Sequence, residues 1–413
     1  MSRVVEALST VHAANDGTVV LVPTLLPIAA LLFHFGYLEL GILVAAGYAV
    51  NVVVQPLVGR FYNQVEAGTL LACGIGVMAI STIIIAYSNS YASLLAGAVV
   101  LRIGSSFYHP VGPSIVSRVY SGTRVDHIMG IQSGFGDLGS FLMFLTASVL
   151  YSTMGWKLPF LVFALIDFTV ALIALKSLRK ILSNKGEKIA TASRAVLGER
   201  KDLGANDASR VPLETISKLP HSIPLSVLFL GTFVAGGSYA IVLNFANSLM
   251  AGIYHSVLLA NLPVSLWLLS FIFADFATGM FSKRIGRIRL LLMSYVLSGI
   301  SIAIFCAIYS DLLAASLALI ANGFVLSFTF PLTYSEIGTL RSSRFARSRN
   351  VGTIFGFLFS FQVTGSALFS YLGGEISQFI NPVYPFLIVA AVLIAVSLMI
   401  VEQLFGSKNS RLN

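Results

Sequence analysis

The chain has 413 residues, of which 56% are hydrophobic and only 10% charged, with a mean hydropathy of +0.88. A water-soluble protein of this length needs a far more charged surface, so the composition excludes a soluble enzyme or binding module and places the chain in lipid. Its net charge of +9 follows membrane topology and calls for no nucleic acid.

Twelve apolar segments, each near the ~20 residues a helix needs to cross a ~30 Å hydrocarbon core, are predicted in chain order at 5–32, 39–60, 68–87, 91–117, 127–150, 158–177, 223–249, 257–281, 288–309, 312–335, 350–373 and 382–404. The expected fold is an all-α integral membrane bundle of two six-helix halves. Residues 1–177 form the first half, and 223–413, with a short tail, form the second. Between them the hydrophobic pattern stops, and residues 178–222, rich in Gly, Asn, Ser, Lys and Arg, are expected to be a basic linker. No segment has the charged, apolar and small-residue order of a cleaved signal peptide, so the first span is expected to stay in the mature protein.

With the N-terminus in the cytoplasm, every Lys and Arg except Arg102, inside a span, and Lys157 falls in a cytoplasmic loop or tail. This asymmetry predicts a multi-pass plasma-membrane protein with both termini cytoplasmic. Cys73 and Cys306 fall inside spans of different halves and are expected to be small buried hydrophobes. No cofactor or metal is expected.

The halves echo each other at the loops after their second spans. Gly279, Lys283, Arg284, Gly286 and Arg287 form a glycine and basic pattern in the second half, and Gly59, Arg60, Asn63 and Gln64 hold the same place in the first. A glycine at a helix end permits close packing, and arginines after it meet the negative helix C-terminus and the headgroups. Repeats of this kind underlie transporters that rock around a midplane site.

With its twelve spans, central loop and loop motif, the chain resembles the major facilitator superfamily. Lys283 departs from the aspartate usual in that motif, and Asn63 replaces the acid in the first-half copy. The resemblance implies that these two loops act as a cytoplasmic gate. A narrower set, His12, Asn15, Asp16, Pro23, Leu26 and Pro27, then Gln55, Pro56 and Gly59, then Phe107, His109, Pro110 and Gly112, resembles the fosmidomycin-resistance branch, which implies proton-driven drug efflux. The fifth span, with Gly134, Gly136 and Gly139 followed by Ser140, lacks the Gly and Pro pair of many antiporters in the superfamily. An uptake symporter is therefore the alternative.

The first span carries the costliest residues. A charged group at the centre of an inserted helix costs about 3 kcal/mol, so Asp16 is expected to line a polar path or meet a partner. At 100° per residue, Ser9, His12, Asn15 and Asp16 share one helix face. In the fourth span Arg102 and His109 share a face with Ser105, Ser106 and Pro113, and Asp137 of the fifth lies among Gly130, Ser133 and Gly134. Counted from the cytoplasmic side, Asp16, His109 and Asp137 lie at depths that agree within a few ångström at ~1.5 Å per residue.

Asp16, Asp137, His109 and Arg102 are thus the candidates for proton coupling, since burial and a moving cation shift a carboxyl group in opposite directions. The competing reading is a static packed cluster. For Arg102 the alternatives are a counter-ion to Asp16 or Asp137 and a site for an anionic substrate group. His12, Asn15, Tyr108, Tyr239, Asn244, Asn247, Asn322 and Gln362 are candidates for cavity and substrate contacts, with Tyr334 a further polar group. Asp167 is a weaker candidate, Asp275 is expected to pair with the basic cluster after Gly279, and His34, His127, His221 and His255 are expected in loops.

The function these features imply is secondary active transport by alternating access, with lipid, protons and a small molecule as partners and the monomer as the working unit. A membrane-embedded enzyme is a remote alternative, because no paired histidines or phosphate-cradling glycine loop occur.

Overall fold

The structure is a computed structural model that describes residues 3–62, 64–120, 123–178, 225–340 and 351–405. Asn63, His221 and nearly all of the predicted linker lie outside the described residues. The first half comprises α1 (Arg3–Val19), α2 (Leu21–Phe33), α3 (Tyr37–Phe61), α4 (Ala67–Ala86), α5 (Tyr91–Ser105), α6 (Tyr108–Val119), α7 (Thr123–Met154) and α8 (Lys157–Ile173), the last ending in a π turn at Ala174–Leu178. The second comprises α9 (Leu225–Tyr254), α10 (Val257–Ile285), α11 (Arg287–Ile308), α12 (Leu312–Ser327), α13 (Thr329–Leu340), α14 (Val351–Phe379) and α15 (Tyr384–Phe405). Among the described residues eleven segments are long and apolar enough to cross a membrane, and the apolar run Tyr384–Met399 supplies a twelfth.

Three predicted spans are broken helices. The first divides into α1 and α2, the fourth into α5 and α6, and the tenth into α12 and α13. Each break has the same covalent origin. Pro23, Pro110 and Pro331 each stand third in the helix after the break, where they offer no N–H to the carbonyl of Val19, Ser106 or Ser327. Side chains take up backbone acceptors near each break: Thr24 Oγ1 donates to the Val20 carbonyl at 2.7 Å, Ser106 Oγ to Arg102 at 2.9 Å and Thr329 Oγ1 to Leu326 at 2.6 Å. Such local satisfaction is what allows proline inside a bilayer. The fourth and tenth spans hold equivalent places in the two halves. His127, expected in a loop, lies on α7, because that helix begins at Thr123.

The halves meet along two antiparallel helix pairs, α3 with α14 and α7 with α10. Both crossings run on glycine. A methyl group added at Gly41 would lie 2.8 Å from the Gly374 Cα, and one at Gly59 would overlap the Gly352 carbonyl. Contact at both ends of α3 holds this pair closed along its length. On α7, added methyls at Gly130 and Gly134 would meet the Asp275 carbonyl and the Phe276 ring. At the far end Asn261 Nδ2 donates to Ser148 Oγ at 2.9 Å. The two halves therefore touch at both ends of α3 and of α7.

Replacing Gly59 with valine overpacks the α3–α14 crossing, at a cost of about 1–3 kcal/mol. The expected outcome is a lower thermal unfolding midpoint of the purified protein in detergent, whereas valine at Gly76, which has open space around it, leaves the midpoint unchanged.

Candidate transport cavity

The polar face of α1 meets α6 and α7 at the centre of the bundle. His12 Nδ1 lies 2.6 Å from the Gln132 carbonyl. Since a carbonyl only accepts, Nδ1 carries the hydrogen. Nε2 of the same ring then points at Asp16, 2.9 Å from Oδ2, without the alignment of a hydrogen bond. A neutral imidazole in this tautomer would set a lone pair against the carboxylate. The contact is stable only with one proton on the pair, as an imidazolium facing a carboxylate or an imidazole facing a carboxylic acid. His109 Nε2 approaches the other oxygen, Oδ1, at 3.5 Å, and Asn15 Nδ2 donates to that oxygen at 2.8 Å.

The His12 ring is held from behind. Tyr108 stacks on it with centroids 4.0 Å apart, and its hydroxyl donates to Gln132 Oε1 at 2.7 Å. Gln132 Nε2 donates in turn to Ser9 Oγ at 2.9 Å and the Val5 carbonyl at 3.1 Å. Gln132 thus satisfies α1, α6 and α7 at once, a role that sequence reading missed because its partners lie more than a hundred positions away. Gly136 makes the approach possible: a methyl there would lie 2.7 Å from Asp16 Oδ2 and 2.8 Å from His12 Nε2.

This cluster forms one wall of a cavity of about 110 Å³. Of the expected residues, His12, Asp16, Arg102, His109, Asp137, Tyr239 and Gln362 line it. Arg102 lies with its guanidinium 4.1 Å over the Tyr48 ring, beside Gly47, and among the described residues no carboxylate lies within ion-pair distance of it. The expected counter-ion role is not adopted in this conformation. The lining also includes the aromatic Phe271, Phe330, Tyr334 and Phe359, the last with its ring 4.9 Å from that of His109, and Tyr334 donates to Gln362 Oε1 at 3.0 Å. Gln55 on α3 is fully buried at the cavity with neither amide atom hydrogen-bonded.

Other expected contacts fall elsewhere. Asn322 is enclosed behind the cavity, accepting from Trp267 Nε1 at 2.9 Å and donating to Ser298 Oγ at 2.8 Å. Asn247 joins the halves by donating to the Pro23 carbonyl at 2.7 Å, and Asn244 donates to the Ala240 carbonyl of its own helix. Membrane amides here hold helices together. Asn15 and Tyr108 support the cluster from outside the cavity. Asp167 is buried beneath α1 and accepts from Thr18 Oγ1 at 2.9 Å.

Asp275 corrects its expected role. It does not pair with the basic cluster after Gly279. It is buried, accepts a hydrogen bond from Ser327, and its carbonyl packs against Gly130 of α7. The turn of helix between Asp275 and Gly279 directs the carboxylate inward while the basic residues face the headgroup end.

At that end, Lys283 and Arg284 are exposed, and Gly286 makes the turn into α11 with φ of 92°. Arg287 forms the ion pairs, with Asp126 of α7 and Glu336 of α13, each at 2.6 Å. Asp126 also accepts from Ser282 at 3.3 Å. Both acids were missed by sequence reading, since nothing local marks a carboxylate whose cation lies 161 residues away, as for Asp126, or 49, as for Glu336. Gly279 packs against His127 of α7. The second-half loop therefore touches the first half through Gly279 and Arg287, and Gly59 touches the second through Gly352.

A family model described as Major Facilitator Superfamily matches residues 8–220 and 228–408, and the chain belongs to that superfamily. Its long apolar helices are those of a multi-pass membrane protein. Among curated proteins it is similar to the vesicular acetylcholine transporter of Homo sapiens, 29% identical over 138 residues, which are 33% of this chain and 26% of that protein. It is also similar to the synaptic vesicular amine transporter of Homo sapiens, 32% identical over 158 residues, 37% of this chain and 31% of the relative. These matches span about a quarter to a third of the relatives' length. Among solved structures, the fold is similar to that of the proton:xylose symporter XylE bound to 6-bromo-6-deoxy-D-glucose, with a TM-score of 0.73 over 98% of this chain and 95% of that one, at 11% identity.

Replacing Arg287 with methionine strands Asp126 and Glu336 beside each other with little solvent. Breaking a buried pair from one side costs about 3–5 kcal/mol. The expected result is a clear drop in the thermal unfolding midpoint, larger than that of Lys283→Met or Arg284→Met.

Proposed function

We propose that this protein is a proton-coupled secondary transporter that exports a small organic molecule across the plasma membrane, working as a monomer with its basic loops in the cytoplasm. The observation that carries the reading is the His12, Asp16 and His109 cluster on the cavity wall, whose geometry calls for a single proton between His12 and Asp16. A carboxylate facing a cavity binds a cation or a proton but not both at full strength, because each removes the charge that attracts the other. Cargo taken from the cytoplasm is released outside when Asp16 is protonated there, and the proton returns inward as the halves rock.

The likeness to amine and acetylcholine transporters and the aromatic wall beside Asp16 and Asp137 favour an amphiphilic organic cation, which carboxylates and aromatic faces both attract. The vacant amide of Gln55 supplies a further donor and acceptor. The residues shared with the fosmidomycin-resistance branch favour export. One observation favours a second reading: Arg102, free of a carboxylate partner among the described residues, suits an anionic metabolite brought in with protons.

In proteoliposomes with an imposed pH gradient, ethidium is expected to move against its own gradient only while the proton gradient lasts, and Asp16→Asn is expected to abolish that response. Gradient-driven ethidium movement that survives both Asp16→Asn and Asp137→Asn would refute the coupling assignment. Gradient-driven uptake of fluorescein, lost in Arg102→Gln while ethidium stays unmoved, would establish the second reading in place of the first.

A further inference from the structure

One atom of the central cluster stands outside its hydrogen bonding. His12 is 6% exposed, yet its Nε2 has no hydrogen-bond partner. Its Nδ1 gives the ring hydrogen to the Gln132 carbonyl at 2.6 Å, so Nε2 of the neutral ring presents a lone pair. A buried polar atom without a partner is costly, and this one is aimed at a carboxylate. A cation seated between the two relieves both.

Three such ligand groups converge. His12 Nε2 lies 2.9 Å from Asp16 Oδ2, His109 Nε2 lies 3.5 Å from Asp16 Oδ1, and one ligand atom from each residue falls within 4.8 Å of the others. Imidazole and carboxylate ligands stand about 2.0–2.2 Å from a zinc ion, which places neighbouring ligand atoms of a tetrahedral site about 3.4 Å apart. The two measured separations bracket that value. The rings of His12 and His109 cross at 84° with centroids 5.6 Å apart, so they do not stack and both nitrogens reach the carboxylate.

The surroundings suit a metal ion as well. A histidine that binds metal donates its other ring N–H to a carbonyl or carboxylate, which fixes its tautomer and orientation. His12 makes that bond, and Tyr108 stacks on its ring at 4.0 Å. The side chains of His109 and Asp16 are 26% and 23% exposed, on the cavity, which leaves the fourth position of a tetrahedral site to water. Asp137 lines the same cavity, so two carboxylates face a divalent ion. Arg102 opposes it, with its guanidinium drawn over the Tyr48 ring. Two imidazoles favour zinc and its transition-metal neighbours over magnesium and calcium, which take oxygen ligands. Closely spaced histidines are the usual sequence mark of such a site, and here the two lie on different helices, α1 and α6.

We propose that His12, Asp16 and His109 form a binding site for a divalent transition-metal ion of the zinc class, and that the bound ion blocks transport. The block rests on the proton-coupled reading above, since an ion held by Asp16 takes the seat of the coupling proton. The binding itself does not depend on that reading.

The test uses the full-length protein with Cys73 and Cys306 replaced by serine, which removes the thiols as rival ligands. Zinc chloride is titrated into the purified protein in detergent by calorimetry, with magnesium in excess. One zinc per chain is expected. Asp16→Asn, His12→Gln and His109→Gln are each expected to weaken binding by about tenfold or more, while His127→Gln and His255→Gln leave it unchanged. A thermal unfolding midpoint taken without metal separates lost ligation from lost folding. Where a midpoint falls, cobalt(II) bound to the parent decides, since it needs no cluster substitution: the strong visible absorption of a four-coordinate ion is expected. In proteoliposomes, zinc is expected to stop gradient-driven ethidium movement at the concentrations that fill the site.

Zinc binding that survives in all three cluster variants, that magnesium displaces, or that leaves cobalt with the weak absorption of a six-coordinate ion would overturn the site. Ethidium movement at full rate with the site filled would overturn the block. Absence of zinc binding beside ethidium movement that needs the pH gradient and Asp16 would overturn the site alone and leave the coupling reading intact. Zinc binding lost in the cluster variants, with no gradient-driven ethidium movement, would support the site and refute the coupling.

Discussion

The structure turns on one electrostatic constraint: a carboxylate inside a membrane-spanning bundle must be matched by a proton or a cation within a few ångström. Burial in a medium of low polarity makes an unmatched charge expensive. Asp16 meets the constraint with two histidines and an amide, and Asp275 accepts a hydrogen bond from Ser327. Asp126 and Glu336 meet it with Arg287 at the headgroup end. Asp16 finds His12 and Asn15 on its own helix and His109 on α6, whereas Arg287 joins Asp126 of the first half to Glu336 of the second. Charge neutralisation and helix packing are for this reason the same event in the groove between the halves.

The solutions differ in what they can do. Arg287 is permanently charged, so its bridge fixes the basic end by geometry and yields only to mechanical separation. The Asp16 cluster and Asp137 are groups that can exchange protons, and they line the cavity. They can register what enters it. Broken helices serve the same end. Prolines at 23, 110 and 331 interrupt α-helical bonding beside the cavity, which places His109 at the start of α6 and frees nearby carbonyls for serine and threonine side chains. The glycines at 59, 130, 136 and 352 then let backbone approach backbone, so that polar groups on neighbouring helices come within reach.

The polar residues divide by their surroundings more than by their type. Asn322, Asn244 and Asn247 are amides on cavity-side helices of the second half, yet all three bond to protein. Gln55, an amide of the same chemistry, has no partner for either atom. Tyr108 and Gln132 show the opposite extreme, where every polar atom is committed to holding His12 in one tautomer.

Much of this was legible in the amino-acid order, because a bilayer imposes local rules. Span length, the distribution of Lys and Arg, and the intrusion of His12, Asn15 and Asp16 into an apolar stretch depend only on neighbouring residues and on hydrocarbon thickness. They determined the twelve-span class, the two halves and the common depth of Asp16, His109 and Asp137. Helix periodicity also placed His12 and Asp16 on one face. What only the tertiary structure decided is pairing. Gln132 with His12, Asp126 with Arg287 and Gly130 with Asp275 join positions more than a hundred residues apart in sequence. The rotation and crossing of packed helices sets these contacts, and no local pattern encodes that rotation. Asp275 shows the difference most plainly: its nearest charges along the chain are the basic residues after Gly279, but its carboxylate is buried and accepts a hydrogen bond from Ser327 of α12.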